Sequence, residues 1–231
     1  MKYKKVIEAE FLERPNRFIA YANVLGERVV AHVKNTGRCR ELLVPGCKVY
    51  LSVSDNPERK TAYDLVTVEK LLSDGERILV NMDSQAPNEL VAEWLSNSGM
   101  FSLSAVIKRE VRFGESRFDF AVYEEDKVSY LEVKGVTLEC DGTVKFPDAP
   151  TERGVKHIKE LSKAVSDGYG AYIVFVVQLK GAKVFVPNSE TDPDFASALA
   201  EAKSSGVIIK AVECDVTPST ASIIGEVPLG I

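Results

Sequence analysis

Paired cysteines, long apolar runs and an excess of positive charge are all missing from this sequence, and each absence excludes a class of protein. The four cysteines, Cys39, Cys47, Cys140 and Cys214, are scattered without a C-x-x-C pair. That spacing signals neither a zinc site nor a disulfide framework and predicts reduced, mostly buried thiols. The longest apolar run, Ala171 to Val177, falls far short of the ~20 residues that cross a bilayer. The start, Met1-Lys2-Tyr3-Lys4-Lys5-Val6-Ile7-Glu8, lacks the apolar stretch of a secretory signal, so a cytoplasmic protein with no membrane contact is expected. Neither an internal repeat nor a low-complexity segment is present. With 29 Lys and Arg against 34 Asp and Glu, the net charge of -5 argues against a generic polyanion binder, whose affinity for phosphates comes from clustered bases.

What is present describes a folded chain. Its 231 residues, 45% apolar and 27% charged, suffice for one large or two small domains with real cores. The charge is unevenly placed: residues 1–82 carry 14 basic and 11 acidic side chains (+3), residues 83–231 carry 15 and 23 (-8). A basic binding module joined to an acidic module is the implied organisation.

The hydrophobic period supports that division. In the first third, alternating segments at Val6–Glu13, Arg17–Val24, Arg28–Val33, Lys48–Val53, Leu65–Leu72 and Ile78–Asn81 are separated by breakers such as Pro15-Asn16, Gly26, Asn35-Thr36-Gly37 and Pro45-Gly46. Short strands at that spacing predict a small OB-like barrel. A helical stripe, Leu90, Val91, Trp94 and Leu95, then begins near Pro87-Asn88 and ends by Gly99, placing the domain boundary near residue 82. Beyond it lie strands at Ala105–Phe113, Arg117–Tyr123, Val128–Val136, Ala171–Gln178 and Val207–Val212, with helices at Glu152–Ser166 and Asp194–Lys203. This order predicts an α/β domain, a mixed sheet flanked by helices.

Two of these strands carry the chemistry. Arg117–Tyr123 and Val128–Lys134 are separated by Glu124-Glu125-Asp126-Lys127, a loop length that predicts an antiparallel hairpin. If Tyr123 pairs with Val128, Asp119 falls opposite Glu132 and Arg117 opposite Lys134. Phe118, Phe120 and Val122 then share one face, and Asp119, Glu132 and Lys134 the other. A lone Glu-x-Lys in a strand is usually a solvated ion pair. Acid facing acid is destabilising unless something positive lies between. Two carboxylates beside the Val133 carbonyl offer the hard oxygen ligands that Mg²⁺ or Mn²⁺ takes. Such an ion acidifies bound water, with Lys134 placed to orient it.

Several segments extend the pattern: Gly114-Glu115-Ser116-Arg117-Phe118-Asp119-Phe120, Leu131-Glu132-Val133-Lys134-Gly135-Val136, Phe146-Pro147-Asp148-Ala149, Thr151-Glu152-Arg153-Gly154-Val155-Lys156-His157 and Val184-Phe185-Val186-Pro187. With Arg14-Pro15-Asn16-Arg17-Phe18, His32-Val33-Lys34-Asn35-Thr36-Gly37-Arg38 and Leu42-Leu43-Val44-Pro45-Gly46, they resemble the sugar fermentation stimulation protein family, SfsA, over nearly the whole chain. The resemblance implies an N-terminal OB-like domain (residues 1–82) and a C-terminal domain like the PD-(D/E)xK nucleases (residues 83–231). The family is described as DNA-binding and linked to regulation of sugar-use genes. Asp119 matches the first acid of the nuclease motif, with Phe118 where Pro often precedes it, and Glu132-Val133-Lys134 matches (D/E)-x-K. An acid from the preceding helix often completes such sites. Glu89 and Glu93 are the candidates, with Glu110 in reserve.

The remaining candidates are binding residues. Arg153, Lys156, His157 and Glu160 form a row on the helix face opposite Val155, Ile158 and Leu161, either a solvated face or, for Arg153, Lys156 and His157, contacts to the scissile phosphate. In the barrel, Arg14, Arg17, Lys34, Arg38 and Arg40 lie at or beside turns, with Phe18 and Tyr21 available to stack on bases. The expected function is hydrolysis of a phosphodiester in DNA or RNA by Mg²⁺ held on Asp119, Glu132 and Val133. A non-catalytic DNA-binding regulator is the competitor, and a metal-dependent enzyme of small molecules a third reading. The oligomeric state is left open, a homodimer included.

Overall fold

Alternation in the first third folds into a barrel because each strand buries one row of small and branched side chains. The computed structural model describes residues 1–35 and 37–231; of the expected Asn35-Thr36-Gly37 turn, Thr36 lies outside the described residues. Strands β1 (Val6–Glu13), β2 (Ile19–Val24), β3 (Glu27–Val33), β4 (Lys48–Val53) and β5 (Tyr63–Leu71) pair in the order β3-β2-β1-β4-β5, and a parallel β3–β5 contact closes the barrel; β6 (Arg77–Asn81) extends β5. Phe11, Ala20, Ala22, Ala31, Val33, Val49, Leu51 and Val68 fill the interior. Strand β2 starts later than Arg17 because Asn16 Oδ1 accepts from the backbone N–H groups of Phe18 and Ile19, 2.9 and 3.0 Å away, and holds a turn there.

The second unit follows α1 (Ala86–Leu95), which ends short of Gly99. A meander of β7 (Val106–Phe113), β8 (Ser116–Glu124) and β9 (Lys127–Val136) leads to β10 (Leu138–Cys140), β11 (Thr143–Phe146) and α2 (Glu152–Ser166). Then come β12 (Gly170–Val177), β13 (Val184–Pro187), α3 (Pro193–Ser204), β14 (Ile208–Val216) and β15 (Ala221–Glu226). The main sheet runs β15-β14-β12-β9-β8-β7, with β9, β12 and β14 parallel. Helix α2 begins at Glu152, where Thr151 accepts from the Gly154 N–H at 3.0 Å as the cap. Strands β10, β11, β13 and β15 are additions to the expected set.

Two apolar layers sandwich this sheet. On one face Tyr130, Val136, Ile173 and Phe175 pack with α2 and α3, in a core continuous with the barrel interior. On the other, Leu90, Val91 and Leu95 of α1 cover Phe120, Val122, Leu131 and Val133. The chain crosses between the units from Asn81 to Ala86, and its N-terminus returns to the second unit, where Tyr3 N–H donates to Ser219 O at 2.9 Å. Gln178 fastens the junction, donating from Nε2 to Asn81 O, Asn81 Oδ1 and Asp83 O. Of the four thiols, Cys39 and Cys214 are buried, Cys47 half-buried and Cys140 exposed. Among the described residues no helix is long and apolar enough to cross a membrane.

Candidate functional site

The β8–β9 hairpin has the register that its turn predicts. Tyr123 pairs with Val128, and pairing runs to Phe120 and Leu131. The turn is tighter than expected: Glu124 and Lys127 pair as well, leaving Glu125, at φ 37°, and Asp126 as the turn.

At the next position the ladder stops, so neither the expected facing of Asp119 and Glu132 nor that of Arg117 and Lys134 occurs as a strand pair. Asp119 Oδ2 accepts the backbone N–H of Val133 at 2.8 Å, a side chain taking a donor that the strand would otherwise use. On the other side, the β7–β8 pairing skips the same level: Arg109 pairs with Phe120 and Val111 with Phe118, while Glu110 sits at φ 56°. An irregularity of this kind re-aims side chains. Phe118 accordingly lies on the α2 face, its ring 5.6 Å from Tyr130 and 6.4 Å from His157, while Phe120 and Val122 lie on the α1 face. The expectation that all three share a face is corrected, and the break at Glu110 and Asp119 is the cause.

Asp119 and Glu132 flank this opening and are held from opposite sides. From α1, Asn88 Nδ2 donates to Asp119 Oδ1 at 2.8 Å. Glu132, only 3% exposed, faces α2: Lys134 Nζ donates to its Oε1 at 2.5 Å, and His157 Nδ1 contacts the same oxygen. Oε2 of Glu132 is buried without a hydrogen-bond partner among the described residues. Burial pushes the Glu132 carboxyl up, but the hydrogen bonds from His157 and Lys134 outweigh it and hold the group below its ordinary value. Asp119 goes the other way: burial and then the Glu132 charge raise it, against the Val133 N–H, Asn88 and Lys134. Two carboxylates whose acidities are pushed in opposite directions, one of them with a buried oxygen that has no hydrogen-bond partner among the described residues, have the hard-oxygen chemistry that suits a divalent cation. Among the described residues no three His, Cys, Asp or Glu side chains cluster for a metal ion; the acids that meet here are two, and the Val133 N–H between Glu132 and Lys134 is given to Asp119.

The acids considered as a third ligand are paired elsewhere. Glu89 accepts both guanidinium nitrogens of Arg109 at 2.6 and 2.9 Å, Glu93 the N-terminal ammonium at 2.6 Å, and Glu110 the Arg117 Nε at 2.8 Å. Asn88 takes the place expected of an α1 acid. Its signal was available: it continues the line Val91–Leu95 toward the N-terminus of the helix, a polar residue on a buried stripe.

Helix α2 differs from expectation at His157, which is buried alongside Gly154, Ile158 and Leu161 rather than on the opposite face. Arg153 and Lys156 are exposed; Arg153 Nε lies 3.5 Å from His157 Nε2, and Lys156 Nζ 3.5 Å from Glu115. In the barrel, Arg17, Arg38, Arg40 and Phe18 are exposed. Arg14 instead donates to the carbonyls of Arg17, Asn35, Gly37 and Arg38 and so braces its own loop. Lys34 Nζ is 2.9 Å from Asp83 Oδ2, and His32 Nδ1 3.2 Å from Asp64. Tyr21 lies under the Arg28 guanidinium, 4.1 Å from its ring centroid. Asp148 accepts the Arg38 N–H at 3.1 Å and ties the barrel loop to the second unit. A cleft of about 570 Å³, lined by Tyr3, Lys34, Asp83, Asn88 and Arg109 among others, opens between barrel and α1 beside Asp119.

Comparison with known proteins agrees with this architecture. Residues 12–84 match the SfsA N-terminal OB domain and residues 85–220 the sugar fermentation stimulation protein RE domain. A sugar fermentation stimulation protein homolog of Ruminiclostridium cellulolyticum is 51% identical over 93% of this chain and 92% of its own. A homolog of Clostridium perfringens is 48% identical over 99% of both. A solved structure of Pyrococcus furiosus SfsA in complex with Ca²⁺ superposes with a TM-score of 0.87 at 29% identity, covering 100% of this chain and 98% of that one. With both domains matched in order and relatives similar from end to end, the chain belongs to the sugar fermentation stimulation protein family.

Proposed function

We propose that this protein binds nucleic acid through its barrel and hydrolyses a phosphodiester bond at Asp119, Glu132 and Lys134 with Mg²⁺ or Mn²⁺. The observation that carries this reading is the buried Glu132 Oε2, unpartnered beside a raised Asp119 carboxyl. Asp119, Glu132 and the Val133 backbone are the groups that would hold the ion, which when bound acidifies water and takes up charge on phosphoryl oxygens. The Ca²⁺ complex of the Pyrococcus furiosus relative supports divalent binding in this fold.

This chain's own residues divide the rest of the work. Glu132 stays ionised because its donors outweigh burial. Lys134 sits against it, where its ammonium can orient a nucleophilic water. Arg153 and Lys156 stand exposed on the helix above, suited to a phosphate. Arg17, Arg38 and Arg40, with exposed Phe18, form the basic and aromatic surface by which OB folds hold single strands.

A second reading, a non-catalytic DNA-binding regulator of sugar-use genes, is favoured by two observations: Lys134 and His157 already satisfy Glu132 Oε1, and the α1 position offers Asn88 in place of an acid. Cleavage of labelled DNA and RNA with Mg²⁺ or Mn²⁺ separates the two. Wild type should cut and Asp119→Asn and Lys134→Ala lose at least about 100-fold, the scale of one lost general acid–base group. Equal cutting by all three rejects the site. Retention on DNA at low salt with no cutting supports the regulator.

A further inference from the structure

We propose that His157 is a positioning residue for Glu132, and that it, with Lys134, saturates Oε1 so that Oε2 is the oxygen left for the metal. This rests on the metal-dependent reading above. The two donors come from different elements, Lys134 from β9 and His157 from α2, and meet on one oxygen. The ammonium rides on a flexible four-carbon stem and by itself does not choose between the two carboxylate oxygens. The imidazole can choose, because it is fixed on three sides. Its ring is 6% exposed, on the buried face of α2. Phe118 meets it edge-on, centroids 6.4 Å apart at 77°. Phe118 is on that face only because the strand breaks at Asp119, so one irregularity both aims the first acid and seats the ring that aims the second.

The third restraint selects the tautomer. Arg153, one helical turn earlier, places Nε 3.5 Å from His157 Nε2. A guanidinium has only donors, so Nε2 accepts and the proton resides on Nδ1, the form that donates to Glu132. The resulting order, Arg153 to His157 to Glu132, is the outer-shell arrangement that fixes ligating side chains in metal sites. His157, expected on a solvated face or beside the scissile phosphate, is instead buried, while Arg153 and Lys156 are exposed.

The alternative is that His157 merely seats α2 on the sheet. Two variants of similar size and polarity divide the readings: His157→Asn keeps an amide donor near the Nδ1 position, whereas His157→Gln carries it to the Nε2 position. The probe is Mn²⁺ alone, titrated calorimetrically into the full chain, with Asp119→Asn alongside. His157→Asn should bind within about threefold of wild type and His157→Gln about 10–100-fold more weakly, while the melting temperatures of the metal-free variants coincide. His157→Gln binding as tightly as wild type, or His157→Asn losing as much as His157→Gln, overturns the proposal while the metal reading stands. Wild type and Asp119→Asn taking up Mn²⁺ equally, or neither taking it up, overturns the metal reading and this inference with it.

Discussion

Asp119, half-buried, and Glu132, buried, are carboxylates of one hairpin, yet their acidities are pushed apart. Glu132 has two cationic or polarised donors on one oxygen, and Asp119 has neutral donors and a negative neighbour. Such divergence marks sites where charge has work to do. Asn88 is the adjustable partner, since the Val133 N–H is fixed by the backbone. Asn88→Ala should leave Asp119 higher still. Because a metal must be bound by the carboxylate form, the pH below which Mn²⁺ affinity falls should move upward. Titrations between pH 5 and 8 check this, and an unchanged pH profile would reject the role of Asn88.

At the scale of elements, β9 carries two site residues and is paired on both sides, with β8 and with β12. Gly135 follows Lys134, and a Cβ there would lie 2.5 Å from Gln178 Oε1 and 2.9 Å from Pro87 Cγ. Gln178 has little room to yield, because its amide nitrogen is spent on Asn81 and Asp83. Gly135→Ala should therefore destabilise by about 1–3 kcal/mol, the usual cost of overpacking. It should also weaken metal binding by shifting Lys134. Urea unfolding measures the first effect, and an unaltered midpoint would mean that Pro87 and Gln178 move aside. The neighbouring β8 shows the opposite economy: its break at Asp119 gives up regular pairing and gains two differently aimed side chains, Phe118 and Asp119.

Across the whole molecule, charge as well as apolar core joins the two units. Asp64, buried in the barrel wall, receives Arg59 at 2.7 and 2.9 Å and His32 at 3.2 Å, and Lys34 spans it and Asp83 at the crossing between units. Burial pushes the Asp64 carboxyl up, but Arg59, Lys34 and His32 outweigh it and hold the group below its usual range. A carboxyl lowered by folding contributes stability above its unfolded value, about 3.9, and that contribution is lost as pH falls through the folded value. Asp64→Asn should thus be less stable at pH 7 and lose less stability than wild type on acidification below about pH 4. Urea midpoints at pH 7 and pH 3 test the prediction, and parallel changes in the two proteins would refute it.

Much of this molecule is written locally. The bounds of β1, β4 and α2 follow from alternation, from breakers and from the Thr151 cap, and the hairpin register follows from its turn, because each depends on residues close in sequence. The short strands β10, β11 and β13 have no such period and form by pairing with one another, β11 with β13 across some forty residues of chain. The site divides in the same way. Composition and spacing brought Asp119, Glu132 and Lys134 to one hairpin, since strand periodicity and a tight turn suffice for that. Turning Phe118 to the far face, bringing Asn88 onto Asp119 and burying His157 against Glu132 required a broken ladder and two helices packed on opposite faces, which are contacts between segments that no local pattern encodes.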